Sequence, residues 1–495
     1  TEDQKIAKRI VDEINSRLGY LKDVGLGYLT MERASNSLSG GESQRINLAT
    51  SIGSSLVGSM YILDEPSIGL HPRDSLRLIQ VLKKLRDVGN SVIVVEHDEQ
   101  MMKSADMIID IGPQAGRHGG EVVFRGNHSE LIKANKSLTA KYLTGEYKIE
   151  VPKVRRKPKD FIIIEQAYLH NLQNITVKIP LNQICVVTGV SGSGKSTLIG
   201  KILHTFLERY FLTGLVKASH CNDIKINFDL ISGVEYINQN PIGKSSRSNP
   251  ITYTKGYDDI RQLFASEKHA KAKGFKPGYF SFNVDGGRCE KCQGEGQLTI
   301  SMQFMADVHL KCDECEGKRF KEEVLEVKFK GRNISQVLEM TVEESLDFFN
   351  EDNALCKKIK AKIFALSEVG LEYVQLGQAS NTLSGGEAQR IKLASFLSHN
   401  KSKQKKLFIF DEPTTGLHFH DVKKLIKALQ DLVEMGHHVV IIEHHMDIIK
   451  SADWIIDLGP EGGDKGGNLV FEGSPESFIK SKVLSHTKDH LKEYI

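Results

Sequence analysis

The stretch that decides the fold is Ile184–Leu203, ICVVTGVSGSGKSTLIGKIL. It reads as a buried strand, then G-x-x-x-x-G-K-S from Gly189 to Ser196, then the start of a helix. Gly189, Gly192 and Gly194 let the backbone curl so that its N–H groups, with Ser191 and Ser193 between them, converge on phosphate oxygens. The helix that begins near Thr197 adds its positive N-terminal end. Lys195 supplies a cation for the β- and γ-phosphates, and the Ser196 hydroxyl is a candidate Mg²⁺ ligand.

Working outward, the chain repeats itself. VGLGYLTMERASNSLSGGESQRI at 24–46 returns as VGLEYVQLGQASNTLSGGEAQRI at 369–391. YILDEPSIGLH at 61–71 returns at 408–418, VIVVEHD at 92–98 returns from 439, and ADMIIDIGP at 105–113 returns at 452–460. Two copies of so long an ordered set predict two homologous domains in tandem. Apolar runs such as YILDEP, VIVVEH, LFIFDEP and VVIIEH end in polar groups and alternate with helical stretches such as DSLRLIQVLKKLRDVG and DVKKLIKALQDLVEMG. That alternation predicts an α/β fold with a largely parallel sheet, whose ligands bind beyond the strands' carboxyl ends. FIIIEQ at 161–166 reads as a further buried strand, and VPKVRRKPKD at 151–160 as a solvated, extended linker.

The acidic pair of LFIFDEP complements the phosphate loop. Asp411 is placed to hold Mg²⁺ and Glu412 to orient or deprotonate the attacking water, with His444 as a polar sensor of the γ-phosphate. Ser39, Gly40, Gly41 and Glu42 of the first LSGGE precede a helix and form a second anion-binding surface. Cys289, Cys292, Cys312 and Cys315 follow the pattern C-x2-C-x19-C-x2-C, a closed Zn²⁺ site with a folding role. Cys185, Cys221 and Cys356 stand alone and read as buried thiols.

The order of Walker A, LSGGE, a strand ending in DE and a strand ending in His resembles the ABC ATPases. In that superfamily ATP is sandwiched between one domain's Walker motifs and the other's LSGGE. The resemblance implies a complete composite site from second-half Lys195, Asp411, Glu412 and His444 facing first-half Ser39 to Glu42, with Gln239 as the loop glutamine. The first half keeps Asp64, Glu65 and His97 but carries no Walker A, which is expected to precede Thr1. Cysteines inserted between Walker A and LSGGE narrow the resemblance to the UvrA family of the bacterial excinuclease. YINQNPIGKSSRSNPITYTKGYDDIRQLFA at 236–265 and GYFSFNVDGGRCEKC at 278–292 are similar to that family's motifs.

The resemblance implies tandem ABC-type, P-loop halves with helical signature domains and a zinc-binding insertion. The expected division is 1–52, the end of signature domain I; 53–150, the C-terminal part of ATP-binding domain I; and 151–160, the linker. It continues with 161–240, ATP-binding domain II with Walker A; 241–400, signature domain II with the DNA-binding segment and zinc module; and 401–495, the part with Walker B. It implies ATP, Mg²⁺ and Zn²⁺ as ligands, damaged double-stranded DNA as substrate surface, a homodimer, and UvrB as the helicase partner of the full-length family. Lys244, Arg247, Ser248, Asn249 and Tyr253 carry the duplex contacts by the same resemblance, through backbone rather than base edges.

Composition agrees with a cytoplasmic globular protein. Of 495 residues 40% are hydrophobic and 26% charged, and no apolar run is long enough for a membrane span. A net charge of +3 excludes a globally basic DNA-coating protein but leaves room for a local basic strip. Rival readings are a transporter-coupled ABC subunit, which the cysteine tetrad disfavours, a paralogue giving resistance to DNA-binding drugs, and a zinc-knuckle binding module.

Overall fold

The strand that carries the phosphate loop is apolar from Ile184 to Val187, because it is covered on both faces. In the computed structural model Ile184–Gly189 (β1) is buried at every position. It lies in a six-stranded sheet with Val234–Ile237 (β2), Leu407–Asp411 (β3), His438–Ile442 (β4), Trp454–Gly459 (β5) and Asn468–Gly473 (β6). The spatial order is β6-β5-β1-β4-β3-β2, parallel throughout except for the β5–β6 pair. The structure describes residues 2–35, 38, 40–53, 57–214, 216–243, 247–302, 308–398 and 404–495, with the backbone alone for 2–6 and 40.

The chain divides into two compact units: Thr1–Gln114 with Gly119–Ile237 and Lys403–Ile495, and Ala115–His118 with Asn238–Ser402. In the first unit the core joins β1, β3 and β4 to the helix that follows the phosphate loop, through Val187, Leu198, Ile202, Ile409 and Val440. The helix Phe419–Glu434 buries Val422, Leu425, Ile426, Leu429, Leu432 and Val433, the three-and-four spacing of an amphipathic helix. FIIIEQ is a strand, Phe161–Ala167, but it belongs to a separate antiparallel sheet with Ile175–Pro180 and Asp223–Lys225. Periodicity reports burial, not strand direction. The 151–160 segment has no regular structure but is not a free solvated tether: Arg155 donates to Glu476 at 3.0 Å and to the Ala452 carbonyl at 2.8 Å, and Arg156 pairs with Asp453 at 3.1 Å. Its basic residues are anchored by acids that lie hundreds of positions downstream.

The first-half copies of the strands, Met60–Asp64 and Ser91–Val95, pair in parallel with each other. Ile108–Gly112 pairs antiparallel with Glu121–Gly126. Among the described residues no strand occupies the place that β1 holds between β4 and β5. Met60 and Ile62 are 64% and 69% exposed, in a strand whose one described partner is Ser91–Val95, whereas Leu407 and Ile409 at the matching positions are fully buried in a strand flanked by both β2 and β4.

The second unit is mainly helical. Its longest helix, Ala354–Glu368, packs on Gly256–Ser266 and on Gly385–Leu397. The last of these begins at LSGGE with Ser384 as N-cap, and Ser384 and Glu387 satisfy each other's backbone N–H groups in a capping box. Among the described residues no helix is long and apolar enough to cross a membrane.

Gly189 closes β1 at φ 129°, and a Cβ there would lie 1.9 Å from the Leu458 carbonyl oxygen of β5. Gly189→Ala should therefore part β1 from β5 and cost about 2 kcal/mol or more. The expected result is a lower thermal midpoint by circular dichroism.

Candidate nucleotide and metal sites

At the end of β1 the loop turns through Gly192 and Gly194, both at positive φ, and enters a helix whose first turns, Thr197–His204, are π-helical. Lys195 is buried and donates to the carbonyls of Gly189 at 3.0 Å and Val190 at 2.9 Å. Burial lowers its pKa to about 8, against the opposing fields of Glu412, Asp457, Asp74 and Asp411. The Ser193 hydroxyl is buried without a partner, while Ser191 donates weakly to the Gly69 carbonyl at 3.4 Å. Ser196 is exposed and Thr197 half-buried.

Asp411 ends β3, and Tyr236 donates to its carboxylate at 2.7 Å. Glu412, at φ 48°, sits just beyond the strand with its N–H held by the Ile442 carbonyl at 3.0 Å. Burial, then the neighbouring Asp411 and Glu443, push its pKa to about 7. Glu443 fixes both loops at the sheet's carboxyl edge, accepting from the backbone N–H groups of Thr414 at 2.9 Å, His444 at 2.6 Å and His445 at 2.9 Å. His444 is buried, is held well below its ordinary pKa by burial and then Lys195, and has an Nδ1 without a partner. An unpartnered serine hydroxyl, an unpartnered imidazole nitrogen and a buried lysine resting on carbonyls make a donor set that fits an anionic ligand.

First-half residues close over this set. A Cβ on Gly69 would come within 2.8 Å of the Glu412 carboxylate, and one on Gly192 within 2.6 Å of the Tyr28 ring. Tyr28 in turn donates to Glu42 of the first LSGGE at 2.6 Å, and Arg33 lies 3.6 Å from the same carboxylate. Gly40 and Gly41 open the helix Gly40–Gly53, and Gly41 packs so tightly on the Ile68 carbonyl that a Cβ would stand 2.7 Å from it. Ser39 lies outside the described residues. The arrangement is reciprocal, since a Cβ on second-half Gly416 would approach Glu65 to 2.9 Å. The sequence reading missed Tyr28, Tyr236 and Glu443; the doubled E-H after VIVV and VVII was the available signal for the last.

Gln239 falls in the other unit, where its side chain lies against Gly385. In that unit Cys289, Cys292, Cys312 and Cys315 are all buried, with their sulfurs within 4.8 Å of one another. Cys289 faces Cys312 at 4.0 Å and Cys292 faces Cys315 at 3.6 Å. Gly294 and Gly317, both at positive φ, make the turn after each second cysteine. The cluster can hold a tetrahedral metal ion.

Of the expected duplex contacts, Lys244 lies outside the described residues. Arg247 leans on the cysteine knuckle, 3.6 Å from Glu295, and Ser248 is half-buried with its carbonyl accepting from Ser380 N–H at 2.8 Å. Asn249 is fully buried and caps the short helix Pro250–Tyr253, so its side chain holds the segment in shape and does not face solvent. Tyr253 is half-buried.

The parallel sheet, the phosphate loop and the facing LSGGE helix define an ABC-type P-loop ATPase fold. No family model matches the chain. UvrABC system protein A of Clostridium perfringens is 53% identical over 501 residues, covering 100% of this chain and 52% of its own length. The protein of the same name from Thermus thermophilus is 52% identical over 479 residues, covering 95% and 49%. The crystal structure of UvrA2 from Deinococcus radiodurans matches with a TM-score of 0.93 at 40% identity, over 100% of this chain and 59% of that one. Archaeal ABCE1, seen with Pelota on the ribosome, is 18% identical with a TM-score of 0.52 and shares the fold alone. The chain is similar to UvrA proteins along nearly its whole length, and it spans about half the length of the curated relatives it matches.

Glu412 ionises at about 7 in the folded chain against an ordinary 4.5. Between those values the folded state holds the proton more tightly, so this group's contribution to stability is lost as pH rises through the window. Glu412→Gln should remove that loss. Its thermal midpoint, without nucleotide, should exceed that of the unsubstituted chain at pH 8 and converge with it near pH 5; a constant difference would contradict the burial of a charged Glu412.

Proposed function

We propose that this chain performs ATP-dependent recognition of damaged double-stranded DNA in nucleotide excision repair, as the UvrA subunit that loads the UvrB helicase subunit. The observation that carries the reading is the closure of first-half Tyr28 and Gly69 on second-half Gly192 and Glu412, with Tyr28 bonded to Glu42 of the first LSGGE. It hydrolyses ATP and cuts no DNA. The division into ATP-binding and signature domains, the homodimer and the cytoplasmic location belong to the same reading.

In this mechanism phosphate oxygens replace the Gly189 and Val190 carbonyls as partners of Lys195, and the loop N–H groups from Gly189 to Thr197 cradle them. Ser193 and His444 supply donors that are already desolvated and unpartnered. Glu412, whose pKa lies near neutrality, takes the proton of the attacking water. Mg²⁺, held by Ser196 and Asp411, would neutralise phosphate charge, and Tyr236 keeps the Asp411 carboxylate oriented. Gln239 links the nucleotide to the signature domain, and Ser39 to Glu42 close the site from the other half.

The four cysteines bind Zn²⁺ as thiolates and shape the segment beside them. The Arg247–Glu295 contact ties the 236–265 stretch to that knuckle, so metal and DNA surface are mechanically joined. Lys244, Arg247, Ser248 and Tyr253 meet the duplex backbone, a mode that responds to deformation and not to sequence.

In a binding assay the chain should favour a duplex with one bulky adduct over the same undamaged duplex, and Lys195→Ala should abolish ATP hydrolysis. Equal affinity for both duplexes would overturn the damage reading, and undiminished turnover would overturn the ATP site. Metal analysis should find about one zinc per chain. Cys292→Ser should lose it together with duplex affinity, while ATP turnover by the isolated chain persists.

A further inference from the structure

Each half holds a histidine of the other in a hydrogen-bonded relay. His71 lies on the first-half loop that follows Asp64 and Glu65, and it is fully buried. Its Nδ1 accepts from the Arg73 N–H at 3.2 Å, which leaves Nε2 as the protonated nitrogen. That nitrogen lies 3.2 Å from the Thr487 hydroxyl, which donates to Asp457 at 3.1 Å. Ser485 donates to the other Asp457 oxygen at 2.6 Å. The mirror copy is complete. His418 Nδ1 accepts from the His420 N–H at 3.2 Å, its Nε2 lies 3.2 Å from the Thr139 hydroxyl, and Thr139 and Ser137 both donate to Asp110.

The relays end on different neighbours. The His71 ring meets the His444 ring edge-on, centroids 5.9 Å apart at 89°. The His418 ring meets His97 in the same way at 6.4 Å and 81°. His444 stands in the field of Lys195, whereas the charged neighbours of His97 are Glu96, Asp421 and Asp64. Because the Nδ1 of His444 has no hydrogen-bond partner, its ring plane is set by packing, and His71 supplies one wall of that packing.

We infer that His71 is a positioning residue for His444, its tautomer and ring plane fixed by Thr487 and Asp457, so that the geometry of the ATP site depends on the first-half loop being seated. A loop whose hydrogen-bond partners belong to the opposite half reports directly whether the halves are docked. The inference rests on the ATP-site reading above.

The test is steady-state ATP hydrolysis by the full chain. Thr487→Val removes the relay hydroxyl at nearly constant volume and should lower kcat about tenfold with KM within about twofold. Thr487→Ser should restore turnover. Thr139→Val removes the same buried hydroxyl from the mirror relay and should leave kcat unchanged. Equal losses in Thr487→Val and Thr139→Val would make both relays mere fastenings and overturn the inference, as would wild-type turnover in Thr487→Val. His71→Gln, which can still donate to Thr487 but presents no ring, gives a second route: kcat should fall while the thermal midpoint holds, and unchanged kcat overturns the inference. Undiminished hydrolysis in Lys195→Ala would fail the underlying ATP-site reading instead, and the inference with it.

Discussion

The arrangement turns on the burial of a cation and several carboxylates at one sheet edge without direct pairing between Lys195 and Glu412. The lysine's hydrogen bonds go to backbone carbonyls, and the acid is pushed toward neutrality by burial and by Asp411 and Glu443. Such a cluster is costly unless its groups have been placed for a charged ligand. The expense is tolerated because the sheet that bears it is well packed: β1, β3, β4 and β5 are almost wholly apolar and buried, with Thr188 and Asp457 the polar residues between their ends. The left-handed conformation of Glu412, with that of Glu65 in the other copy, is the backbone's share of the strain.

Reciprocity explains why two halves are needed at one site. Gly69 and Gly416 stand at φ 66° and 68°, where glycine is favoured, and each lies against the other half's glutamate, so a Cβ would press on its carboxylate. Tyr28 joins Gly192 of one half to Glu42 of the other in the same way, by filling the space a Cβ would take and spending its hydroxyl on the carboxylate. The contacts that matter most are therefore those that neither half can make alone.

Much of this was legible in sequence. The phosphate loop, the DE strand ends and the C-x-x-C pairs are local patterns whose spacing dictates their chemistry, and the repeat made the tandem halves readable. What escaped was non-local. Tyr28 and Tyr236 look like ordinary aromatic residues until the fold brings them to Gly192 and Asp411. Arg155 and Arg156 read as tether because their acids lie near residues 453 and 476. Asn249 read as a polar contact residue, yet N-x-x-T around Pro250 is also a capping signal, and capping is what it does here. His71 and His418 sat at the end of each repeat, where GLH invited no reading; both cap the helix that follows and face across the interface.

The two copies also show that equal sequence does not give equal environment. YILD and FIFD are matched in pattern, yet Ile62 is exposed and Ile409 is buried, because burial belongs to the neighbours and not to the strand. The same holds for chemistry. His97 has the glutamate and the cross-half histidine that His444 has, but its charged neighbours are Glu96, Asp421 and Asp64, where those of His444 are Lys195 and Arg45. The two relays are thus built from the same atoms and end on unlike surroundings, one against His444 and the other against His97.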